Sequence, residues 1–256
     1  FTTESGDVTV MTLTRIEDIK AWDMDNDGQI ETFDVTFSDW VLYNTLAVEE
    51  ETGKALNWTL TGGYGDNIVF QVPDAAMGYD ARFTFTPSAK MGTAIADDLF
   101  LNIANGETLA DEMGNLMFPA GAQSLNGLMF YDYAKPVLLS ATMDGNIDKY
   151  GYIANGTTIT LAFTEPVWSA EDAAQKIVLK LSTGVELNVA DAVSVYAEGD
   201  NEALITFIGD FYTGNTTGAT LTFDVAEANK DIFKDVVDHS FQFQYGNAGP
   251  IAVTET

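Results

Sequence analysis

The sequence predicts an all-β protein built as tandem antiparallel β-sandwiches, and three observations carry that expectation. Apolar and polar residues alternate along many short runs, Gly/Asn/Asp clusters separate the runs, and helical periodicity is scarce. Period-2 alternation buries one face of a strand and leaves the other to solvent, which suits antiparallel sheets better than βαβ units. Thr, Val and Phe fill the runs, and these residue types fit a pleated, half-buried surface.

Taken in order, the strand signals are Phe33/Val35/Phe37, Phe83/Phe85, Ile159/Leu161/Phe163, Leu187/Val189, Ile205/Phe207, Leu221/Phe223 and Phe241/Phe243/Tyr245. Each puts alternate apolar side chains on one face. Two short stretches are expected to be helical: 169–174, with Ser169 as N-cap, and 93–105. The run Glu49-Glu50-Glu51 reads as a solvated hairpin end, and Asp97-Asp98 as a loop or helix start.

The chain repeats itself in order. Phe37-Ser38-Asp39-Trp40-Val41 matches Phe163-Thr164-Glu165-Pro166-Val167, and Glu51-Thr52-Gly53 matches Ser182-Thr183-Gly184. Gly65-Asp66-Asn67 with Ile68-Val69-Phe70 pairs with Gly199-Asp200-Asn201 and Leu204–Phe207, and Ala81–Phe85 with Ala219–Phe223. Ala134-Lys135-Pro136-Val137 recurs as Ala248-Gly249-Pro250-Ile251. The expected division is therefore a sandwich over 1–132, a second over 133–247, and the start of a third module or a linker over 248–256. The chain opens at Phe1 and is read as a mature segment or an excised fragment.

With 39 acidic against 11 basic residues the formal net charge is −28, which repels nucleic acid and anionic membranes. No stretch is apolar enough for a membrane-spanning helix. There is no cysteine, so thiol catalysis, disulfides and zinc–thiolate sites are excluded. His239 is the single histidine and is expected to be structural or exposed. No phosphate loop, nucleophile elbow or metalloprotease motif is present, and no enzyme activity is expected.

The most specific motif is Asp23-Met24-Asp25-Asn26-Asp27-Gly28-Gln29-Ile30-Glu31. Oxygen donors at alternate positions converge on one hard cation, and Gly28 supplies the sharp turn, as in an EF-hand loop. Counting from Asp23, the candidate ligands are Asp23, Asp25, Asp27, the Gln29 carbonyl, Glu31 and Asp34, and the expected ion is Ca2+. Asp34 is one methylene shorter than the Glu an EF-hand places there, and strand rather than helix follows it. Met143-Asp144-Gly145-Asn146-Ile147-Asp148 resembles the same loop with two residues deleted, and is expected to be an ordinary turn or a weak site.

These landmarks resemble the bacterial Ig-like modules of surface-layer proteins and large repetitive adhesins. The resembling features are a strand opening with Ala-x-Pro-Val, an acidic loop, a strand ending in Phe-Ser/Thr-Asp/Glu-x-Val, and an Asp-x-x-Gly-Asn turn at Asp111–Asn115. In the second repeat Ile232-Phe233-Lys234-Asp235 stands near that last place without a clear counterpart. The resemblance implies Ig-like sandwiches in a secreted, cell-surface structural protein: a segment of a surface layer, stalk or adhesin that binds calcium. Such a segment acts through self-association or contact with neighbouring modules. The alternative is a carbohydrate-binding module, with glycans as partners and Trp22, Trp40, Trp58 and Trp168 as candidate stacking residues. The Asn-x-Thr sequons at Asn57, Asn155 and Asn215 permit glycosylation without arguing for it.

Overall fold

The computed structural model describes residues 15–38, 40–42, 45–60, 68–71, 82–87, 91–92, 100–104, 108–111, 113–116, 125–214, 219–244 and 251–255. Asp39, Gly65–Asn67, Ala81, Asp97, Asp98, Asn215, Tyr245 and Ala248–Pro250, named above, lie outside these residues, as does most of the expected 93–105 helix.

Strands dominate, as the alternation predicts. In the first half of the chain they are β1 (Ile16–Trp22), β2 (Gln29–Ile30), β3 (Thr32–Phe37), β4 (Val41–Leu42), β5 (Trp58–Leu60) and β6 (Ile68–Gln71). Then come β7 (Arg82–Pro87), β8 (Met91–Gly92), β9 (Phe100–Ile103), β10 (Ala110–Asp111), β11 (Leu125–Met129) and β12 (Tyr131–Asp132). The second half holds β13 (Val137–Asp144), β14 (Tyr152–Ile153), β15 (Thr158–Ser169), β16 (Ile177–Leu181), β17 (Glu186–Leu187) and β18 (Val193–Tyr196). It ends with β19 (Glu198–Phe207), β20 (Phe211–Tyr212), β21 (Leu221–Val225), β22 (Phe233–Lys234), β23 (Gln242–Phe243) and β24 (Ile251–Glu255).

The chain divides into two compact units. The first takes Phe1–Lys20, Thr32–Ala89 and Asp97–Tyr131; the second takes Ala21–Glu31, Lys90–Ala96 and Asp132–Thr256. The acidic loop, which the sequence places in the first repeat, thus belongs to the second unit.

In the first unit one sheet runs β12-β1-β3-β7-β6, and a second places β9 between β5 and β11. β3 pairs antiparallel with β7 so that Phe33 faces Phe85 and Val35 faces Phe83. Phe33, Val35, Phe37, Trp58, Ile68, Leu101 and Ile103 are buried, and the Phe33 and Phe130 rings meet at 4.7 Å. Glu49–Lys54 closes a hairpin: the Glu49 amide donates to the Lys54 carbonyl at 2.8 Å, and Gly53 takes φ 70°.

The second unit is organised around the ladder β17-β16-β21-β24-β13-β15-β19-β18. Alternation fixes its faces. Met143 opposes Ile159, which opposes Ile205, and all three are buried. One residue along, Thr142, Thr160 and Thr254 lie side by side and are not buried. Phe163, Phe233, Phe241 and Phe243 are buried, and Phe241 meets the rings of the other three edge-on at 5.4–5.8 Å. Tilted and edge-on aromatic contacts add to what area burial alone provides. β24, in the stretch read as the opening of a third module, finds its partners here: it pairs parallel with β13 and antiparallel with β21.

Both helix expectations need correction. The short helix α1 spans Ala173–Lys176 with Asp172 at its N-cap, while Ser169 ends β15 and its Oγ accepts the Ala197 amide at 3.1 Å. Residues 100–103 of the second expected helix are strand β9.

Two repeated motifs do the same structural job twice. The Ser38 Oγ accepts the Arg15 amide at 3.0 Å, and the Thr164 Oγ1 accepts the Val137 amide at 2.9 Å, each fastening the start of a strand. Asp111 Oδ1 accepts the amides of Met113 and Asn115, and Asp235 Oδ1 accepts those of Val237 and His239. Gly114 at φ 80° is matched by Asp238 at φ 74°. The second unit therefore does carry the Asp-x-x-Gly-Asn turn, written Asp-x-x-Asp-His.

Candidate metal centre

The acidic loop leaves β1 after Trp22 and returns through β2, which pairs antiparallel with β8. Two residues let it turn this tightly: Asn26 at φ 57° and Gly28 at φ 86°. Both lie in the left-handed region that Asn and Gly enter most easily. Gly28 is also buried against β13 and β15. A Cβ added there would stand 2.6 Å from Thr164 Cγ2 and 3.8 Å from Leu139 Cδ2, so only glycine fits without displacement.

The carboxylates hold the loop's own backbone. Asp23 Oδ1 accepts the Asp27 amide at 3.2 Å, and Asp23 Oδ2 accepts the Gly28 amide at 2.9 Å. Asp25 Oδ1 also accepts the Asp27 amide, at 3.1 Å. Glu31 Oε2 accepts the Met24 amide at 3.0 Å, while the Glu31 amide donates to the Trp22 carbonyl at 3.2 Å. These bonds curl the loop so that one carboxylate oxygen from each of Asp23, Asp25, Asp27 and Glu31 lies within 4.8 Å of the others. A group of this composition is able to hold a metal ion.

Burial, with crowding behind it, opposes the ionisation of Glu31 and Asp23. Burial, followed by the charges of Asp23, Asp25 and Asp27, pushes the Glu31 carboxyl up to about 6. Burial raises Asp23 above the usual carboxylate range, the Asp27 charge adds to this, and the Gly28, Asp27 and Asn26 amides pull it back. A bound cation reverses the repulsive part directly.

The structure groups four of the six expected ligands. Gln29 opens β2, opposite Gly92. Asp34 is buried within β3, opposite Thr84, and is not one of the four. Of the Met143–Asp148 stretch, Asp148 begins an Asx-type turn: its Oδ1 accepts the amides of Tyr150 and Tyr152, both at 2.8 Å. Among the described residues the Asp23–Glu31 group is the single place where three or more metal-ligating side chains meet.

The other sequence candidates resolve mostly as packing. Trp58 is fully buried and Trp22 partly so, its ring 4.9 Å from Tyr133. Trp168 is 40% exposed, but its ring covers Gly199, where an added Cβ would meet Cζ2 at 2.9 Å. Trp40 is exposed. His239 Nδ1 lies 3.0 Å from both Asp235 Oδ2 and the Ala134 carbonyl, a structural position inside the turn. Composition gave no sign of the Tyr152–Tyr212 pair, because its partners are sixty residues apart and only the β14–β20 pairing brings them together.

No protein-family model matches the chain, and no curated protein does. A solved structure, Crystal Structure of Rst D1-D2, aligns with 96% of this chain and 100% of its own at 8% identity and a TM-score of 0.34, a likeness too low to carry an argument.

Proposed function

We propose that the loop of Asp23, Asp25, Asp27 and Glu31 binds calcium, with the Gln29 carbonyl as a further ligand. The ion then stiffens a structural segment of a secreted cell-surface protein, a piece of a surface layer, stalk or adhesin that works by association with copies of itself or with neighbouring modules. The two units are read as Ig-like sandwiches in tandem. One observation carries the metal part: four carboxylate oxygens mutually within 4.8 Å on a loop already turned by Asn26 and Gly28. The donors are all oxygen, which favours a hard cation. The several carboxylates suit calcium's larger, adaptable shell better than magnesium, which keeps its waters. Asp34 falls out of the ligand set, so the site is a loop between strands rather than a full twelve-residue hand.

The packing of Gly28 on Thr164 gives the ion a mechanical role. Neutralising the carboxylates removes the force that would spread the loop away from β13 and β15. For extracellular modules binding at about 0.1–1 mM, millimolar calcium contributes about 0.4–1.4 kcal/mol. That magnitude stiffens a loop in a unit whose core already folds it.

The test is calorimetric titration of calcium into chelator-treated protein, beside Asp25→Ala/Asp27→Ala. Saturable binding in the millimolar range or tighter, lost in the double variant, is the expected result. Heat that persists in the variant, or none at several millimolar calcium, rejects the site.

A further inference from the structure

The ribbon of β14 and β20 places Tyr152 directly opposite Tyr212, with ring centroids 4.9 Å apart and planes inclined by 40°. Both rings stand largely in solvent, 44% and 56% exposed, in a unit that buries most of its large apolar side chains. Exposed aromatic clusters of this kind are informative where single exposed residues are not. Beside Tyr152 opens a cleft of about 480 Å³, lined by Asn146, Asp148, Thr157 and Asp210.

The walls are fixed before anything binds. Asp148 Oδ1 is held by the Tyr150 and Tyr152 amides, and Asp210 Oδ1 by the Asn155 amide at 2.9 Å. Each carboxylate keeps Oδ2 without a hydrogen-bond partner among the described residues. Thr213, whose Oγ1 donates to the Gly151 carbonyl at 2.9 Å, ties the two sides of the ribbon together.

We propose that Tyr152 and Tyr212, with the cleft of Asn146, Asp148 and Asp210, form a binding subsite for a neutral pyranose sugar. A pyranose has an apolar C–H face that packs on an aromatic ring, and a rim of hydroxyls that requires fixed acceptors and donors. The carboxylates supply acceptors, and the Asn146 amide supplies both. Acidic sugars are repelled by Asp148, Asp210 and the net charge of −28. The subsite lies in the second unit, and it does not depend on the acidic loop being occupied.

The experiment is an NMR titration of the full chain, in chelator, with three neutral oligosaccharides: a β-1,4-glucan, an α-1,4-glucan and an α-mannan. Each is carried to about 20 mM, above the millimolar range where a single open subsite binds. The expected result is saturable shifts around residues 146–157 and 208–213 for at least one sugar. Affinity then falls about tenfold or more in Tyr212→Ser and in Asp210→Asn, the latter keeping an acceptor for the Asn155 amide. Tyr196→Ser, at an exposed tyrosine elsewhere, leaves it unchanged. Thermal melts of each variant separate lost binding from lost folding. Absence of saturable shifts with all three sugars overturns the proposal. So does binding that survives Tyr212→Ser in a folded protein.

Discussion

Gly28 carries two constraints, a positive φ and a close approach, whereas Gly114 carries one. Gly114 has φ 80° but nothing within 4 Å of where a Cβ would sit. Gly114→Ala is therefore expected to destabilise by about 1 kcal/mol, the strain of a left-handed non-glycine residue. Gly28→Ala adds the collision with Thr164 Cγ2 and is expected to cost about 2 kcal/mol or more. Thr164→Ser removes that methyl and keeps the hydroxyl that accepts the Val137 amide, so it should relieve part of the Gly28→Ala defect. Urea unfolding of the two single variants and the pair measures this, and an additive double variant would show that the contact is not felt. Asp132 gives a second residue-scale prediction. Burial first, then the Asp235 charge, pushes its carboxyl up to about 6, against the pull of the Ala134 amide and His239. The folded state thus holds this proton more tightly than the unfolded chain, whose reference value is 3.8. The contribution of Asp132 is most favourable at low pH and is lost as pH rises through about 6. Asp132→Asn should raise the melting temperature at pH 7.5 and flatten its dependence between pH 5 and 7.5, read against a wild type kept in chelator.

At the scale of elements, the paired turns show what sequence patterns could and could not reveal. Asp235 is almost wholly buried, and it accepts the Val237 and His239 amides on one oxygen while the other meets the His239 ring. Asp235→Ala leaves those donors without an acceptor, and a loss of about 2–4 kcal/mol is expected by chemical denaturation. His239→Asn installs the residue that Asn115 already represents in the first unit, where its amide donates to Asp111 Oδ2 at 2.8 Å. It should therefore be far milder than Asp235→Ala; equal damage would mean that the ring's contact with Ala134, not the turn, is what matters. The Asp111 turn was legible because Gly and Asn are the usual residues for a left-handed position and a short acceptor loop. Its counterpart was hidden because Asp238 adopts φ 74° and a histidine ring replaces an amide. Strand existence was legible from alternation, yet the repeat slipped by one strand. β7 lies beside β3 as β19 lies beside β15, so the partner of the Arg82–Phe85 pattern is β19 and not β21. β3 (TFDVTF), β7 (RFTFTP) and β21 (LTFDV) share the same Phe/Thr alternation, and period-2 patterning fixes a face without saying which strand bears it. The grouping of Asp23, Asp25, Asp27 and Glu31 was legible because all four fall within one short loop. Asp34 stands in β3, where side chains alternate sides and do not follow a loop's curl, and the group of four does not include it.

The whole molecule carries 39 acidic and 11 basic side chains, so its folded state repels itself over distances that salt controls. Sodium chloride should raise the melting temperature gradually up to about 0.5 M, without saturation at millimolar levels. Calcium at a site acts differently, because it is saturable and local. Asp25→Asn/Asp27→Asn separates the two effects. It keeps the oxygen that accepts the Asp27 amide and removes two charges from a crowded group. In chelator the double variant should melt at or above the wild type: burial accounts for most of the rise of Glu31 to about 6, and the Asp25 and Asp27 charges that add to it are gone. In millimolar calcium the order should reverse: the wild type gains about 0.4–1.4 kcal/mol and the variant does not. Crossing of the two melting series between chelator and calcium, at fixed ionic strength, is behaviour that a merely solvated acidic turn does not produce. A constant offset between wild type and variant would assign the stabilisation to general screening, and the loop would then be a turn held by its own amides.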